Sequence, residues 1–366
     1  MKPILCDICT KETHKFYELK SFPVNIYQKN KNKFKKKKLK IFFCKFCNHI
    51  SISKLKSEII LYKSYKKKNV SNKFNKLSKN DKKKNILEIS KEKPIVQKGF
   101  KIDHKKIFKN DYLNITKKYN KIIINDCISN IYNIKKFFRK ISDCLEQGGE
   151  IEILHHYGPG VIKNLNIDRV YFEHINNFSY KSLNFLINQY ELTIKSFKLF
   201  ENRNFFKAIL IKKNLKFKNK ILINENFDLI KKSDIEKFIN RINQITFKLK
   251  KDLGRITFKN KENNIYGYGA SIGSVAIIKF LNLDKYINKL IDNFSELKFI
   301  NLDKKIIKIE KKFHKNYDNL VIFNLAPRYK FLIKKKVFNN SDKKISYFEL
   351  LPSYNLIKKM PNVFNK

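Results

Sequence analysis

Tryptophan is absent from this 366-residue chain, methionine occurs twice, and acidic residues are scarce: 32 Asp and Glu stand against 81 Lys and Arg. No run reaches the roughly 18 consecutive apolar residues of a membrane-spanning helix, so no such helix and no membrane partner are expected. The opening MKPILCDICT has no apolar stretch of about 7–15 residues ending in small residues, so no secretion signal is expected and a cytoplasmic location is inferred. No self-similarity of solenoid period is present, which excludes a repeat array. What is present suffices to fold. Hydrophobic residues at 42 % and aromatics at 14 % exclude a wholly disordered chain, and the length predicts two or three domains.

The net charge of +49 points first to nucleic acid, because Lys and Arg displace counterions from phosphates. The excess is almost all Lys, however, spread over the whole chain and accompanied by abundant Asn, Ile, Phe and Tyr. That is the vocabulary of an A/T-rich coding sequence, whereas a nucleic-acid surface clusters its basic residues. Tracts such as Lys35 to Lys38 and Lys82 to Lys84 are therefore read as solvated loops, and a nucleic-acid partner ranks last. The charge will still attract small anions, nucleotides included.

Four of the six cysteines lie in the first fifty residues, as Cys6-x-x-Cys9 and Cys44-x-x-Cys47 with 34 residues between the pairs. Two CxxC pairs can turn four thiolates onto one zinc, and a four-thiolate zinc has no open position, so it is scaffold rather than catalyst. The gap is longer than the commonest spacing. A redox pair is the rival reading, but redox motifs rarely come in two matched copies. Cys127 and Cys144 stand alone among apolar residues and read as packing.

Beyond a polar, Lys-rich stretch from about 55 to 85, short apolar strands are expected at Asn85–Ile89, Lys121–Asn125 and Glu150–His155, with a helix at Ile134–Leu145. A helix over Asp234–Lys251 precedes further strands at Asn264–Tyr268, Lys289–Asp292 and Asn319–Asn324. Strands alternating with helices imply parallel α/β sheets. The expected fold class is α/β: a small zinc-ribbon-like module at 1–56, a Rossmann-like domain at 57–212 and a second Rossmann-like α/β domain at 213–366.

Two motifs carry chemistry. Tyr266-Gly267-Tyr268-Gly269-Ala270-Ser271-Ile272-Gly273 follows an apolar strand and opens a helix, where glycines permit a tight turn and a helix amino terminus attracts a phosphate. Asp292, about 20 residues on, could meet a ribose. A tight turn with no ligand is the plain alternative. The second motif, Asp168-Arg169-Val170-Tyr171-Phe172-Glu173-His174, puts a phenol, a carboxylate and an imidazole within four residues, a set able to supply acid–base groups. Taken alone, such a His is more often a surface or core residue.

The double CxxC, the stretch YFEHINNFSYKSLNFLINQY and the distal NIYGYGASIGS together resemble the sugar C-methyltransferases, which act on nucleotide-linked deoxysugars. The resemblance spans nearly the whole chain in the right order. It implies a zinc module on Cys6, Cys9, Cys44 and Cys47, a central S-adenosylmethionine-binding domain and a carboxy-terminal α/β domain. It also implies that His174 takes the proton beside a sugar ketone, in the cleft between the central and carboxy-terminal domains, while Tyr171 and Glu173 line the pocket. Glu88, Asp103 and Asp126 would face the S-adenosylmethionine. Tyr65, Gly267, Gly269, Ala270, Gly273 and Asp292 would hold the nucleotide-sugar.

The sequence departs from the family pattern in three places. The glycine-rich turn expected after Asn85–Ile89 is replaced by Ser90-Lys91-Glu92-Lys93-Pro94, with no glycine until Gly99. Asn130 stands where the family often has a His, and the linker offers Tyr62 and Tyr65 among lysines in place of a Tyr-x-Tyr-x-Ser-like loop. Two readings follow. One is an S-adenosylmethionine-dependent C-methyltransferase acting on a nucleotide-linked keto-deoxysugar or related saccharide precursor. The other is a non-catalytic zinc-containing homologue that binds a nucleotide-sugar and has lost methyl transfer.

Overall fold

The computed structural model describes residues 3–24, 36–55, 77–90, 101–106, 115–200, 204–213, 228–259, 264–295, 297–302, 305–312, 319–339 and 344–359. Tyr65, and the 91–100 stretch that lacks the expected glycine turn, lie outside the described residues.

Strands β1 (His14–Pro23), β2 (Lys36–Phe43) and β3 (Ile50–Ile52) form an antiparallel sheet. The central unit runs β4 (Ile86–Ser90), β5 (Ile102–Lys106), β6 (Tyr119–Asn125), α1 (Ile134–Asp143), β7 (Leu145–His156), α2 (Gly158–Lys163), β8 (Asn176–Asn177), α3 (Tyr180–Asn188), β9 (Leu192–Phe200) and β10 (Phe205–Lys212). The last unit runs α4 (Lys232–Lys259), β11 (Asn264–Tyr268), α5 (Ile272–Phe280), β12 (Lys289–Ile291), β13 (Phe299–Leu302), β14 (Lys305–Glu310), β15 (Asn319–Asn324), α6 (Lys330–Asn339), β16 (Lys344–Glu349) and β17 (Asn355–Lys359).

The central sheet has the order β5-β4-β6-β7-β10-β9, its first four strands parallel and its last two antiparallel. Strands β4 and β6 read as near-continuous apolar runs because both of their faces are covered. The strand order reverses between β4 and β6, so the ligand crevice of such a sheet opens beyond Ser90 and Asn125. The carboxy-terminal sheet, β13-β14-β12-β11-β15-β16-β17, has five parallel inner strands and an antiparallel strand at each edge. Its order reverses between β11 and β15. The chain is thus α/β with two Rossmann-like sheets, as the alternation of strands and helices predicts.

The amino-terminal sheet takes its fourth strand from the middle of the chain. Asn177 pairs with Ile50 and Asn176 with Ser51, a pairing that crosses the 56/57 boundary read from the sequence. The sheet packs on both larger units: Tyr17 stacks on Phe280 of the carboxy-terminal unit at 5.3 Å, and Phe22 meets Phe172 of the central unit edge-on at 5.6 Å. One buried cluster therefore runs through Phe22, Ile41, Phe172, Phe238, Leu249 and Ile277, while a second joins the four amino-terminal cysteines to the central sheet. Where the central and carboxy-terminal units meet, the first turn of α5 lies directly on the 3-10 turn Ile167–Arg169. A methyl group on Gly273 would stand 2.6 Å from the Asp168 carbonyl oxygen.

Candidate functional site

The two CxxC pairs form matching knuckles. Thr10 N–H donates to Cys6 O and Asn48 N–H donates to Cys44 O, both at 2.9 Å, with Thr10 and Asn48 at φ of 61° and 58°. Cys6 N–H then donates to Lys11 O and Cys44 N–H to His49 O, at 2.8 and 2.9 Å. The four thiols are free, buried and converge: Cys6 Sγ lies 3.7 Å from Cys47 Sγ, Cys9 Sγ lies 3.4 Å from Cys44 Sγ, and all four fall within 4.8 Å. A tetrahedron with Zn–S of about 2.3 Å has edges of about 3.8 Å, so the donor set fits a closed structural zinc. Without a cation these sulfurs cannot all ionise: burial pushes Cys9 up to about 11, while the hydrogen bond from Cys47 holds Cys6 down at about 5.

The Tyr171–His174 segment is fixed at both ends. The Ile167–Arg169 turn precedes it, and β8 follows, zipped onto β3. His174 Nδ1 lies 3.1 Å from the Arg169 carbonyl, which can only accept, so Nδ1 carries the ring proton. Nε2 is then a lone pair, and it accepts the Tyr171 hydroxyl at 2.7 Å. The His174 ring stacks on His156 with centroids 4.7 Å apart. The resemblance placed His174 facing the domain cleft. It is instead 1 % exposed, with its Nδ1 held by the carbonyl of Arg169, the last residue of the 3-10 turn on which α5 sits. Glu173 is 3 % exposed and acts on Tyr132, whose phenol is raised by burial first and partly by the Glu173 charge.

At the reversal point of the central sheet, Asp126 N–H donates to Leu154 O at 2.8 Å, seating the carboxylate beside His155 and His156 at the end of β7. Asp126 Oδ1 is 3.2 Å from His155 Nδ1 and 3.4 Å from His156 Nδ1. His156 Nε2 faces Asn177 Oδ1 at 3.1 Å, and Asn177 Nδ2 donates to the His174 carbonyl at 3.0 Å. Burial first, then His155, pushes His156 down to about 3. Asp126, Tyr171 and His174 are thereby brought into one network. His155, His156 and Asn177 are members that the sequence reading missed; its only signal was a His pair closing an expected strand.

The other residues read for S-adenosylmethionine do not join them. Glu88 is buried in the middle of β4. Asp103 lies three residues short of the end of β5, where it accepts the hydroxyl of Tyr119, the first residue of β6, at 2.8 Å. That is toward the edge where the strands begin, away from the crevice. Asn130 caps no catalytic group: its side chain accepts the Ser129 hydroxyl at 2.7 Å.

In the glycine loop, Gly269 has φ of 114° and its N–H donates to Ile291 O at 2.8 Å. The Ala270 N–H donates to the Asp292 carboxylate at 3.0 Å, and Asp292 also accepts from the N–H groups of Phe294 and Ser295 at 2.9 Å. The carboxylate thus sits where the sequence reading placed a phosphate. Gly267 makes room for Leu290, and Gly273 for Asp168. Beyond β15, at the reversal point of this sheet, the Arg328 guanidinium lies 4.4 Å from the centre of the Phe205 ring, which Arg169 also approaches at 5.6 Å. Two arginines from opposite sides of the domain seam therefore converge on one aromatic ring.

No protein-family model matches the chain, and no curated protein matches it in sequence. Solved structures similar to it include an S-adenosylmethionine-dependent methyltransferase from Clostridium acetobutylicum, with 13 % identity over 32 % of this chain and 67 % of that one at a TM-score of 0.24. Another, from Mesorhizobium loti, has 7 % identity over 35 % of this chain and 90 % of that one, at 0.25. An O-methyltransferase family protein from Burkholderia thailandensis has 12 % identity over 32 % of this chain and 37 % of that one, at 0.26. At these TM-scores the likeness assigns neither substrate nor chemistry to this chain. Among the described residues, no helix is long and apolar enough to cross a membrane.

Proposed function

We propose that this is a methyltransferase-type enzyme working on the carbon beside the ketone of a nucleotide-linked sugar, with His174 as the base. The observation that carries the reading is the fixed tautomer of His174. Its Nδ1 proton is committed to the Arg169 carbonyl, so Nε2 is an unprotonated acceptor held against the Tyr171 hydroxyl. A base so arranged can take a C–H proton while the C–H electron pair moves onto the carbonyl oxygen as an enolate. Substrate reaches Nε2 only if the Tyr171 hydroxyl swings aside to donate to that oxygen and the buried His174, 1 % exposed, is uncovered. Arg169 and Arg328 suit a diphosphate, because guanidinium forks match phosphate oxygens and their approach spans the seam. Cys6, Cys9, Cys44 and Cys47 hold a zinc that ties the first knuckles to the central unit. Glu88, Asp103 and Asp126 do not converge on a cradle for S-adenosylmethionine, so no step is derived through it.

The non-catalytic homologue remains the second reading, favoured by the burial of His174, which is 1 % exposed. Exchange of the sugar proton with deuterated solvent separates the two, alongside calorimetric titration with S-adenosylmethionine. The wild type is expected to exchange, and His174→Ala to lose about 100-fold or more, the usual contribution of a general base, with nucleotide affinity nearly unchanged. A wild type that binds the nucleotide-sugar but neither exchanges its proton nor binds S-adenosylmethionine establishes the second reading.

A further inference from the structure

We propose that Asp126, His155 and His156 form a second metal site, separate from the four cysteines, for a first-row divalent transition ion. The ligand atoms of the three residues lie within 4.8 Å of one another, and both Nδ1 atoms approach the same carboxylate oxygen at 3.2 and 3.4 Å. Bonds of about 2.0–2.2 Å from imidazole nitrogen and carboxylate oxygen span such separations.

The donor and acceptor count at His156 points to a cation. The His174 carbonyl can only accept, so Asn177 must turn its Nδ2 toward it, which leaves Asn177 Oδ1 facing His156 Nε2. Nε2 must therefore carry the ring proton of a neutral imidazole. Nδ1 is then a lone pair aimed at a carboxylate oxygen 3.4 Å away. Two lone pairs do not attract; a proton or a metal ion has to lie between them, and His156 is 1 % exposed, where an imidazolium is costly. A metal ion relieves the conflict. The Asn177 contact is then the familiar outer support of a metal-bound His, whose far N–H is held by a carbonyl-type oxygen so that the near nitrogen faces the ion.

The site is also reachable. The Asp126 side chain is 40 % exposed and stands at the reversal point of the central sheet, where ligands enter such folds. Two imidazoles and one carboxylate favour zinc, iron or cobalt over the oxygen-seeking magnesium and calcium, and they leave coordination positions open. An ion there lies one stacked ring away from His174 and could hold the enolate oxygen that His174 generates. That role rests on the proposed reaction; the site does not.

The test strips the full-length protein of metal, reloads it with cobalt, and reads metal content and absorption together. Two ions per chain are expected, one with intense thiolate charge-transfer bands and one without. Asn tolerates the positive φ of Asp126, 44°, so Asp126→Asn should fold, keep the thiolate bands and lose the second ion. Asn177→Leu should weaken that ion about 10–100-fold. A wild type holding one ion only, or an Asp126→Asn variant holding both as tightly, overturns the site and leaves a proton shared between His156 and Asp126. If Asp126→Asn does not fold, X-ray absorption of the zinc-loaded wild type decides: a nitrogen–oxygen shell beside the sulfur shell supports the site, and sulfur alone refutes it. Neither readout depends on proton exchange.

Discussion

Two glycine-to-alanine substitutions should move stability in opposite directions. At Gly273 the new methyl would sit 2.6 Å from the Asp168 carbonyl oxygen and 3.4 Å from Asp168 Cβ. Ordinary contact begins near 3.4 Å, so α5 and the Ile167–Arg169 turn must part by about 0.6–0.8 Å. Neither partner yields easily: the obstacle is backbone rather than a rotatable side chain, and α5 is buried along its whole length. Overpacking of this kind costs about 1–3 kcal/mol, and the better helix propensity of Ala returns less than about 1 kcal/mol in a first turn. A net loss of about 1.5 kcal/mol is expected. Gly254, inside α4, has nothing within 4 Å of its added methyl, so the propensity gain stands alone at about 0.5–1 kcal/mol of stabilisation.

Urea unfolding followed by circular dichroism measures both, and thermal midpoints should shift by about 2–4 °C per kcal/mol. The Gly273 variant carries a second readout. The turn it displaces holds His174 Nδ1 through the Arg169 carbonyl, so proton exchange should fall along with stability. If Gly273→Ala stabilises the protein as Gly254→Ala does, the close seat of α5 on Asp168 is wrong, and with it the coupling of that seat to His174 through the Arg169 turn.

Asp81 accepts hydrogen bonds from Lys121 Nζ at 2.9 Å and from Lys84 Nζ and Ser78 N–H at 3.0 Å; burial alone would raise its carboxyl, but these bonds outweigh it and hold it well below the usual range. A depressed folded value means stability that is full above about pH 4 and drains away as pH falls further, so Asp81→Asn should cost about 2 kcal/mol at pH 7 and flatten the acid limb of urea unfolding between pH 7 and 3. Arg328→Lys should weaken a nucleoside diphosphate about tenfold in calorimetry, since an ammonium cannot form the guanidinium fork; unchanged affinity would remove the Phe205 seam from the binding site.

The parallel strands were legible because burial on both faces leaves them apolar whatever the surface composition. Lys121–Asn125 lies within β6, and β15 spans the expected Asn319–Asn324. Strands β1 and β2 were not, because an antiparallel sheet solvated on one face writes its outward positions in the commonest polar residue. Here that residue is Lys, which obscures the strand pattern of HKFYELKSFP and makes the Lys36–Lys38 start of KKKLKIFF read as a loop. The four cysteines were legible as local spacing. The Asp126–His155–His156 group was not, because its members meet only through the β6–β7 register, in which Asn125 faces Leu154. Asp103 shows the converse: an acid at a plausible distance along the sequence lies at the wrong end of its strand once register is known.

Composition carries one further signal. The chain uses 75 lysines and six arginines, so an arginine stands wherever a lysine could have served and did not. Arg169 and Arg328 approach one ring from two sides of the seam. Arg241 donates through two guanidinium nitrogens to the carbonyls of Lys163 and Pro352, at 3.1 and 2.6 Å, bridging the central and carboxy-terminal units. A lysine could offer a charge at each place, but not a planar fork with two fixed donors. Half of the arginines therefore lie where geometry rather than charge is the requirement, and all three lie at the junction of the two units. Arg241 spends its fork on holding the two units together, so of the three only Arg169 and Arg328 belong to the proposed diphosphate grip.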